Sequence, residues 1–177
     1  KNDYQKIDLT AKYIAAYQFD IACLPETNAD WKKYGSRTAC NALLRKHLRH
    51  HRLITSCSQA DAAHSFLPGG TATIVANNWT GRISESGKDP HGMGRWSFVR
   101  TKGKTAQKLL VVTVYQVCKQ SIRTAGDTTA FSQQWHHLRA SGNESPDPRK
   151  QFSVPYNHLT LPTKRIVNTS RSPLCLQ

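Results

Sequence analysis

The short apolar run from Ile21 to Leu24 constrains the fold more than any other feature of the sequence. It lacks the polar alternation of a half-exposed strand, so Asp20 to Leu24 predicts a buried strand of a parallel or mixed sheet. Apolar residues recur at helical spacing on both sides of it, which predicts helices over Tyr4 to Gln18 and Ser36 to Arg52. A buried strand between two helices requires helices packed on a sheet, in layers.

The remainder of the chain adds more strands and one further helix. Strands are predicted at Thr71 to Ala76, Trp96 to Arg100 and Leu109 to Tyr115, and a helix at Thr128 to Ala140 with Phe131, Trp135 and Leu138 facing inward. The order of elements indicates an α/β or α+β protein. Residues 153–177 hold three prolines and no acid, so we expect an irregular or disordered tail after a domain over 1–152.

A net charge of +14, from 25 Lys and Arg against 11 Asp and Glu, favours a polyanionic partner. Nucleic acid comes first, as DNA or RNA, and an anionic membrane second; the alternative is a soluble basic protein with no such partner. No run approaches the roughly 20 apolar residues of a membrane span, so no membrane role is expected. Candidate nucleic-acid-binding residues are the cations on the solvent side of the second helix: Arg45, Lys46, Arg49 and Arg52.

The cysteines and histidines form no recognisable metal motif. The five cysteines are odd in number and no two form a CxxC pair, which argues against zinc or a disulfide framework. His47, His50 and His51 could place two imidazoles on one helix face. No carboxylate is near them in sequence, so a basic or solvated face is the preferred interpretation.

Two polar side chains stand where α/β sheets place their sites, at the carboxyl ends of predicted strands. Glu26 follows Pro25 at the end of the first strand, and carboxylate oxygens suit a hard cation such as Mg²⁺. Tyr115 ends the Leu109 to Tyr115 strand, and its phenol could hydrogen-bond a phosphate or carry a proton. The alternatives are a solvated glutamate and an aromatic of the core or its rim.

Several segments, taken in order, resemble one family. DIACLPET at 20–27, PGGTATIV at 68–75, Gly94-Arg95 followed by WSFVRTKGKTAQKLLVVTVY, and the helix TTAFSQQWHHL are similar to motifs of the endonuclease/exonuclease/phosphatase superfamily. They most resemble the apurinic-endonuclease-like domains of non-LTR retrotransposons. The resemblance covers roughly residues 7–152, and the order and spacing of the motifs carry it more than any single one.

The resemblance implies a four-layer α/β sandwich that hydrolyses phosphodiester bonds with Mg²⁺ or Mn²⁺. The metal-binding Glu of the family falls on Glu26, and its active-site Tyr falls on Tyr115. Such an enzyme would be intracellular, and nuclear if derived from a retroelement. A divalent ion would polarise the phosphate while basic surface holds the strand.

The sequence also departs from the family at the positions that matter for activity. Pro25 replaces the family's Gln, and no Asn-bearing first strand, G-D-x-N strand end or D-H pair is found. We therefore expect a truncated domain with weak or no cleavage. A non-catalytic basic nucleic-acid-binding module and a phosphatase-type member of the same fold remain the alternatives, and the oligomeric state is open.

Overall fold

The computed structural model describes residues 3–60, 67–105, 107–118 and 129–151. Within these ranges the longer helices are α1 (Asp3–Ala16), α2 (Tyr34–His47) and α3 (Ala130–Ala140), and residues 148–151 are also helical. Six strands are β1 (Ile21–Pro25), β2 (His51–Ser56), β3 (Thr71–Ala76), β4 (Ile83–Lys88), β5 (Trp96–Lys102) and β6 (Lys108–Val114). A 3₁₀ helix, Asn77–Arg82, joins β3 to β4. The mixed helix and sheet content confirms the α/β class.

The described strands form two antiparallel sheets, β1–β3–β2 and β4–β5–β6. Pro25 of β1 and Ser56 of β2 both lie opposite Thr71 of β3, and Glu26 follows Pro25. This end of the three strands is here termed the Glu26 end. At the opposite end of the strands, here termed the Asn77 end, His51 lies opposite Ala76. The two ends are about 20 Å apart, the length of a six-residue strand.

The helices α1 and α2 cover one face of the first sheet. Ala11 and Ile14 of α1 and Leu44 of α2 are buried with Ile74 of β3 in the main apolar cluster, and Trp31 joins them. Alternate side chains of a strand point to opposite faces, so the neighbours of Ile74 face away from these helices. The first sheet is therefore the middle layer of the described part of the chain.

The second sheet packs on that opposite face through hydroxyl groups. Thr73 Oγ1 lies 2.6 Å from Thr113 Oγ1 and 3.2 Å from Ser97 Oγ, which also accepts a hydrogen bond from Thr71 Oγ1 at 3.1 Å. All four residues are buried. Because buried hydroxyls need partners, this network fixes how the sheets align. The described residues thus form helix, sheet and sheet layers.

The helix α3 closes the Glu26 end of the second sheet. Phe131 and Ala130 pack with Val117 and Tyr115, and Gln134 Nε2 donates to the carbonyl of Met93 at 3.2 Å. Phe131 and Leu138 are buried and Trp135 is half-buried, which confirms the predicted inward face.

Two predictions about elements need correction, and the strands β2 and β4 were not predicted. The strand β1 pairs antiparallel with β3 and is partly exposed rather than buried in a parallel or mixed sheet, because a short apolar run does not reveal strand direction. The second helix ends at His47 instead of Arg52, since Leu48 has an extended backbone and His51 already begins β2. The strand β4 was not predicted, because its polar, exposed sequence lacks an alternating pattern.

The expected tail at 153–177 and the first residues of the predicted Thr128 helix lie outside the described residues. Among the helices of the described ranges, none is both long and apolar enough to cross a bilayer.

Candidate functional site

Glu26 begins a tight loop that leaves the sheet in a left-handed conformation. Its φ is 55°, and that of Asn28 is 51°, a region that non-glycine residues rarely occupy. The loop is held by Gly69 and Gly70: Asn28 N–H donates to the Gly69 carbonyl at 2.8 Å, and Thr27 N–H donates to the Gly70 carbonyl at 3.2 Å. The Asn28 side-chain carbonyl accepts from Gly69 N–H at 2.8 Å. The exposed Glu26 carboxylate is thus presented by a fixed backbone.

Tyr115 packs against the same glycine turn. A Cβ on Gly69, whose φ is +82°, would lie 2.9 Å from Tyr115 Cε1, so only glycine lets the ring approach this closely. Tyr115 N–H donates to the Arg95 carbonyl at 2.8 Å, which anchors the residue to the start of β5. The structure therefore brings the predicted Glu26 and Tyr115 to one place, although 88 residues separate them.

The electrostatics of this pair limit its chemistry. Burial, and secondly the negative charge of Glu26, raises the pKa of Tyr115 to about 12. At neutral pH the phenol is protonated, so it can donate a hydrogen bond to a phosphate oxygen but cannot act as a general base.

A cavity of about 340 Å³ lies beneath Glu26, between α1, α2 and the first sheet. Its walls are mainly apolar, with Leu24, Trp31 and Ile74 among them. Trp31 Nε1 donates to Thr27 Oγ1 at 2.9 Å, which ties the cavity wall to the Glu26 loop. Gly69 and Asn28 were not predicted as site residues. The Pro-Gly-Gly turn at 68–70 was the signal in the sequence that could have indicated them.

The donor set for a divalent cation is incomplete. Within the described ranges, no three His, Cys, Asp or Glu side chains lie close enough to hold a metal together. Glu26 supplies one carboxylate, whereas Mg²⁺ needs six oxygens in octahedral geometry from carboxylates, phosphates and water. The described residues alone do not fit the Mg²⁺ or Mn²⁺ site that the resemblance implies, and no catalytic step is derived through a metal.

The predicted basic residues gather at the Asn77 end instead. Arg45, Arg49 and Arg52 line a groove of about 840 Å³, open to solvent and walled on its other side by Thr80 and Gly81. Lys46 is exposed on the last turn of α2 but does not line the groove. The structure therefore brings three of the four candidate cations together, remote from Glu26.

The three histidines are structural or groove residues. His47 Nε2 lies 2.9 Å from Asp8 Oδ1, and the pKa of Asp8 is lowered by this hydrogen bond and by Lys12. His51 Nε2 lies 3.1 Å from Asn41 Oδ1, and burial, with the charge of Arg45, lowers the pKa of His51.

No protein-family model matches the chain, and no curated protein matches it either. Among solved structures, an endonuclease/exonuclease/phosphatase family protein from Leptotrichia buccalis C-1013-b is similar, with a TM-score of 0.44 and 14% sequence identity. The similarity covers 83% of this chain and 59% of that one, so this chain spans about three fifths of that structure's length. A likeness this weak gives no support to a function.

Proposed function

We propose that this protein binds nucleic acid through the basic groove at the Asn77 end, on a partial four-layer sandwich of the endonuclease/exonuclease/phosphatase type. The observation that carries the proposal is the grouping of Arg45, Arg49 and Arg52 around one groove. Among the described residues that line it, none is acidic. The net charge of +14 supports a polyanionic partner in general.

The three guanidinium groups are available to a ligand. All three arginines are exposed, and none forms an ion pair within the described part of the chain. Arginine presents a planar fork of donors that matches phosphate oxygens, and each neutralised phosphate releases condensed counterions. Binding should therefore weaken steeply as salt rises.

The test is fluorescence anisotropy of labelled DNA over a range of salt concentrations. Replacing Arg45, Arg49 and Arg52 together by Gln should weaken binding on the order of 100-fold near 0.1 M salt and reduce the salt slope by about 2 to 3. Arg37→Gln is the matched control, because Arg37 is exposed on the first turn of α2 at the Glu26 end. An unchanged slope in the triple variant would contradict the proposal.

A second candidate is divalent-metal-dependent cleavage of DNA at the Glu26 end. The proximity of Glu26 and Tyr115 favours it, since the charge of Glu26 acts on the Tyr115 phenol. The single carboxylate argues for weak or no activity, because one Glu gives a hard cation few ligands. A phosphate at this place would meet the Tyr115 phenol as a hydrogen-bond donor.

Nicking of supercoiled plasmid with Mg²⁺ or Mn²⁺ tests this candidate separately from binding. We expect little or no nicking. Robust nicking that Glu26→Ala abolishes, and that Glu144→Ala at an exposed site leaves intact, would establish a working centre at the Glu26 end.

A further inference from the structure

Three aromatic side chains form an exposed ladder at the end of α1. The ring centroids of Tyr13 and Tyr17 are 6.0 Å apart with planes at 20°, and those of Tyr17 and Phe19 are 5.8 Å apart at 26°. The residues are 51%, 65% and 52% exposed, and Leu9 beside them is 50% exposed. Exposed apolar side chains grouped in this way are a candidate interaction surface.

The geometry of the ladder suits flat ligands. With centroids near 6 Å the rings are offset, so part of each face stays uncovered. Tyr17 in the middle is the most exposed of the three. Nucleobases stack on such faces without regard to sequence, because every base has a π-face.

The ladder and the basic groove lie at the same end of the first sheet. Phe19 is followed by Asp20, whose carbonyl accepts a hydrogen bond from Ala76 N–H at 2.7 Å. The next residue, Asn77, donates its N–H to the carbonyl of His50 in the groove at 2.9 Å. β3 lies between β1 and β2, so the backbones of β1 and β2 that lead to the two surfaces are two strand spacings apart, about 10 Å.

We propose that the aromatic ladder and the basic groove together bind single-stranded nucleic acid across the Asn77 end. Bases stack on Tyr17 and Phe19, and the phosphate backbone passes to Arg49 and Arg52. Duplex bases are stacked on one another and cannot reach the rings, so the surface prefers single strands. This inference rests on the proposed nucleic-acid binding and specifies which form is bound.

The charges around the ladder fit this ligand with one exception. Asp8 forms an ion pair with Lys12, at 3.1 Å from its Oδ2, and its Oδ1 lies 2.9 Å from His47 Nε2. Asp20 is exposed next to Phe19 and would repel a nearby phosphate. Asp20→Asn should therefore tighten single-strand binding by a few-fold, an effect that a purely structural role of this end does not predict.

The experiment compares a labelled oligo(dT) of about 20 nucleotides with a duplex of the same length. The wild type should bind oligo(dT) more tightly. Tyr17→Leu should weaken oligo(dT) binding by about tenfold, because it removes a stacking surface, and should leave the salt slope and duplex binding unchanged. Tyr17→Phe keeps the ring and should bind like wild type, and Tyr34→Leu is the control because Tyr34 is 78% exposed at the start of α2.

The outcomes separate this inference from the proposed function. If the triple arginine variant loses binding but Tyr17→Leu does not, the groove binds nucleic acid and the ladder does not take part, which overturns the inference. If the wild type binds neither ligand, both proposals fail. If Tyr17→Leu binds normally but changes a dimer to a monomer in sedimentation, the ladder is a self-association surface and the inference is wrong.

Discussion

The Glu26 end and the Asn77 end of the first sheet are formed by the same strands but present different side chains to a ligand. At the Glu26 end one carboxylate and one phenol converge on a glycine turn, and the described residues contain no group of three His, Cys, Asp or Glu side chains that could hold a metal. At the Asn77 end three arginines and an aromatic ladder surround the Ala76–Asn77 step. Backbone geometry is well fixed at the first end, whereas charge is concentrated at the second.

The position of a residue at the end of a strand does not by itself give it the capacity to bind a ligand. The sequence points to the Glu26 end, since Glu26 and Tyr115 follow the ends of predicted strands. The side chains point to the Asn77 end, since phosphates are held by exposed cations and bases by exposed rings. Variants at the two ends can therefore test the two surfaces independently.

The largest expected effect comes from the buried ion pair at the Glu26 end. Arg95 Nε donates to Asp89 Oδ2 at 2.8 Å, and Arg95 Nη2 donates to Asp89 Oδ1 at 3.2 Å. Both side chains are almost fully buried. Asp89→Asn removes the negative charge that faces the buried guanidinium and should cost about 3–5 kcal/mol of unfolding free energy, measured by denaturant titration. Glu85→Gln, which breaks the exposed pair with Arg100, should cost at most about 1 kcal/mol.

The same ion pair gives stability a defined pH dependence. Burial alone raises the pKa of Asp89, but the hydrogen bonds and charge of Arg95 outweigh it and hold the pKa below its ordinary value of 3.8. A carboxyl with a depressed folded-state pKa stabilises the fold above the unfolded pKa, and that contribution is lost as pH falls through the folded value. Stability should therefore decline below about pH 3.8 in the wild type, and the decline should be smaller in Asp89→Asn. An equal decline in both would contradict the assignment.

The next effect tests whether Gly69 fixes the position of Tyr115. Gly69 and Gly142 both have φ of +82°, but only a Cβ on Gly69 would contact other residues, Tyr115 and Ala130. Gly142→Ala should cost about 1–2 kcal/mol for the left-handed backbone, and Gly69→Ala should cost more, because the Tyr115 ring must move. Equal losses in thermal stability would show that Tyr115 is not held by this turn.

A smaller effect, of opposite sign, is expected at Ser56. Its hydroxyl is buried and has no hydrogen-bond partner among the described residues. Ser56→Ala should leave stability unchanged or raise it by about 1 kcal/mol, because the unsatisfied hydroxyl is removed. Thr73→Val removes a satisfied hydroxyl from the network between the sheets and should lower stability by about 1 kcal/mol. A loss at Ser56 equal to that at Thr73 would reveal a hydrogen bond to Ser56.

The smallest effect is the electrostatic coupling of the two candidate site residues. Glu26→Gln removes a negative charge near Tyr115 and should lower the tyrosine pKa from its raised value of about 12. ¹³C NMR of the Tyr ring carbon bonded to oxygen, followed through alkaline pH, measures the shift. No change would place the carboxylate too far away to act with the phenol.

How much the sequence reveals differs between local and long-range features. Thr71–Ala76 was predicted at its observed bounds, because six β-branched and small residues follow a Gly-Gly turn. The strand β2 was not predicted, because His51 and Arg52 continue the basic pattern of α2 and the strand is recognised only by its pairing with β3.

The candidate sites show the same limit. Glu26 and Tyr115 were proposed from strand ends and from the resemblance. The Pro-Gly-Gly turn is visible in the sequence, but the packing of Tyr115 on Gly69 is not. The link between Phe19 and the arginine groove depends on Asp20 and His50 bonding to consecutive residues of β3 and the 3₁₀ helix. Such contacts join residues far apart in sequence, so only the folded chain shows them.

The central claim is that nucleic acid binds the Asn77 end and not the Glu26 end. Titrating oligo(dT) into ¹⁵N-labelled protein and following amide chemical shifts tests it directly. We predict the largest changes in three stretches, 17–20, 45–52 and 77–82, with little change at 26–28 and 69–70. Changes concentrated around Glu26, Gly69 and Tyr115 instead would contradict the account and place the binding site at the Glu26 end.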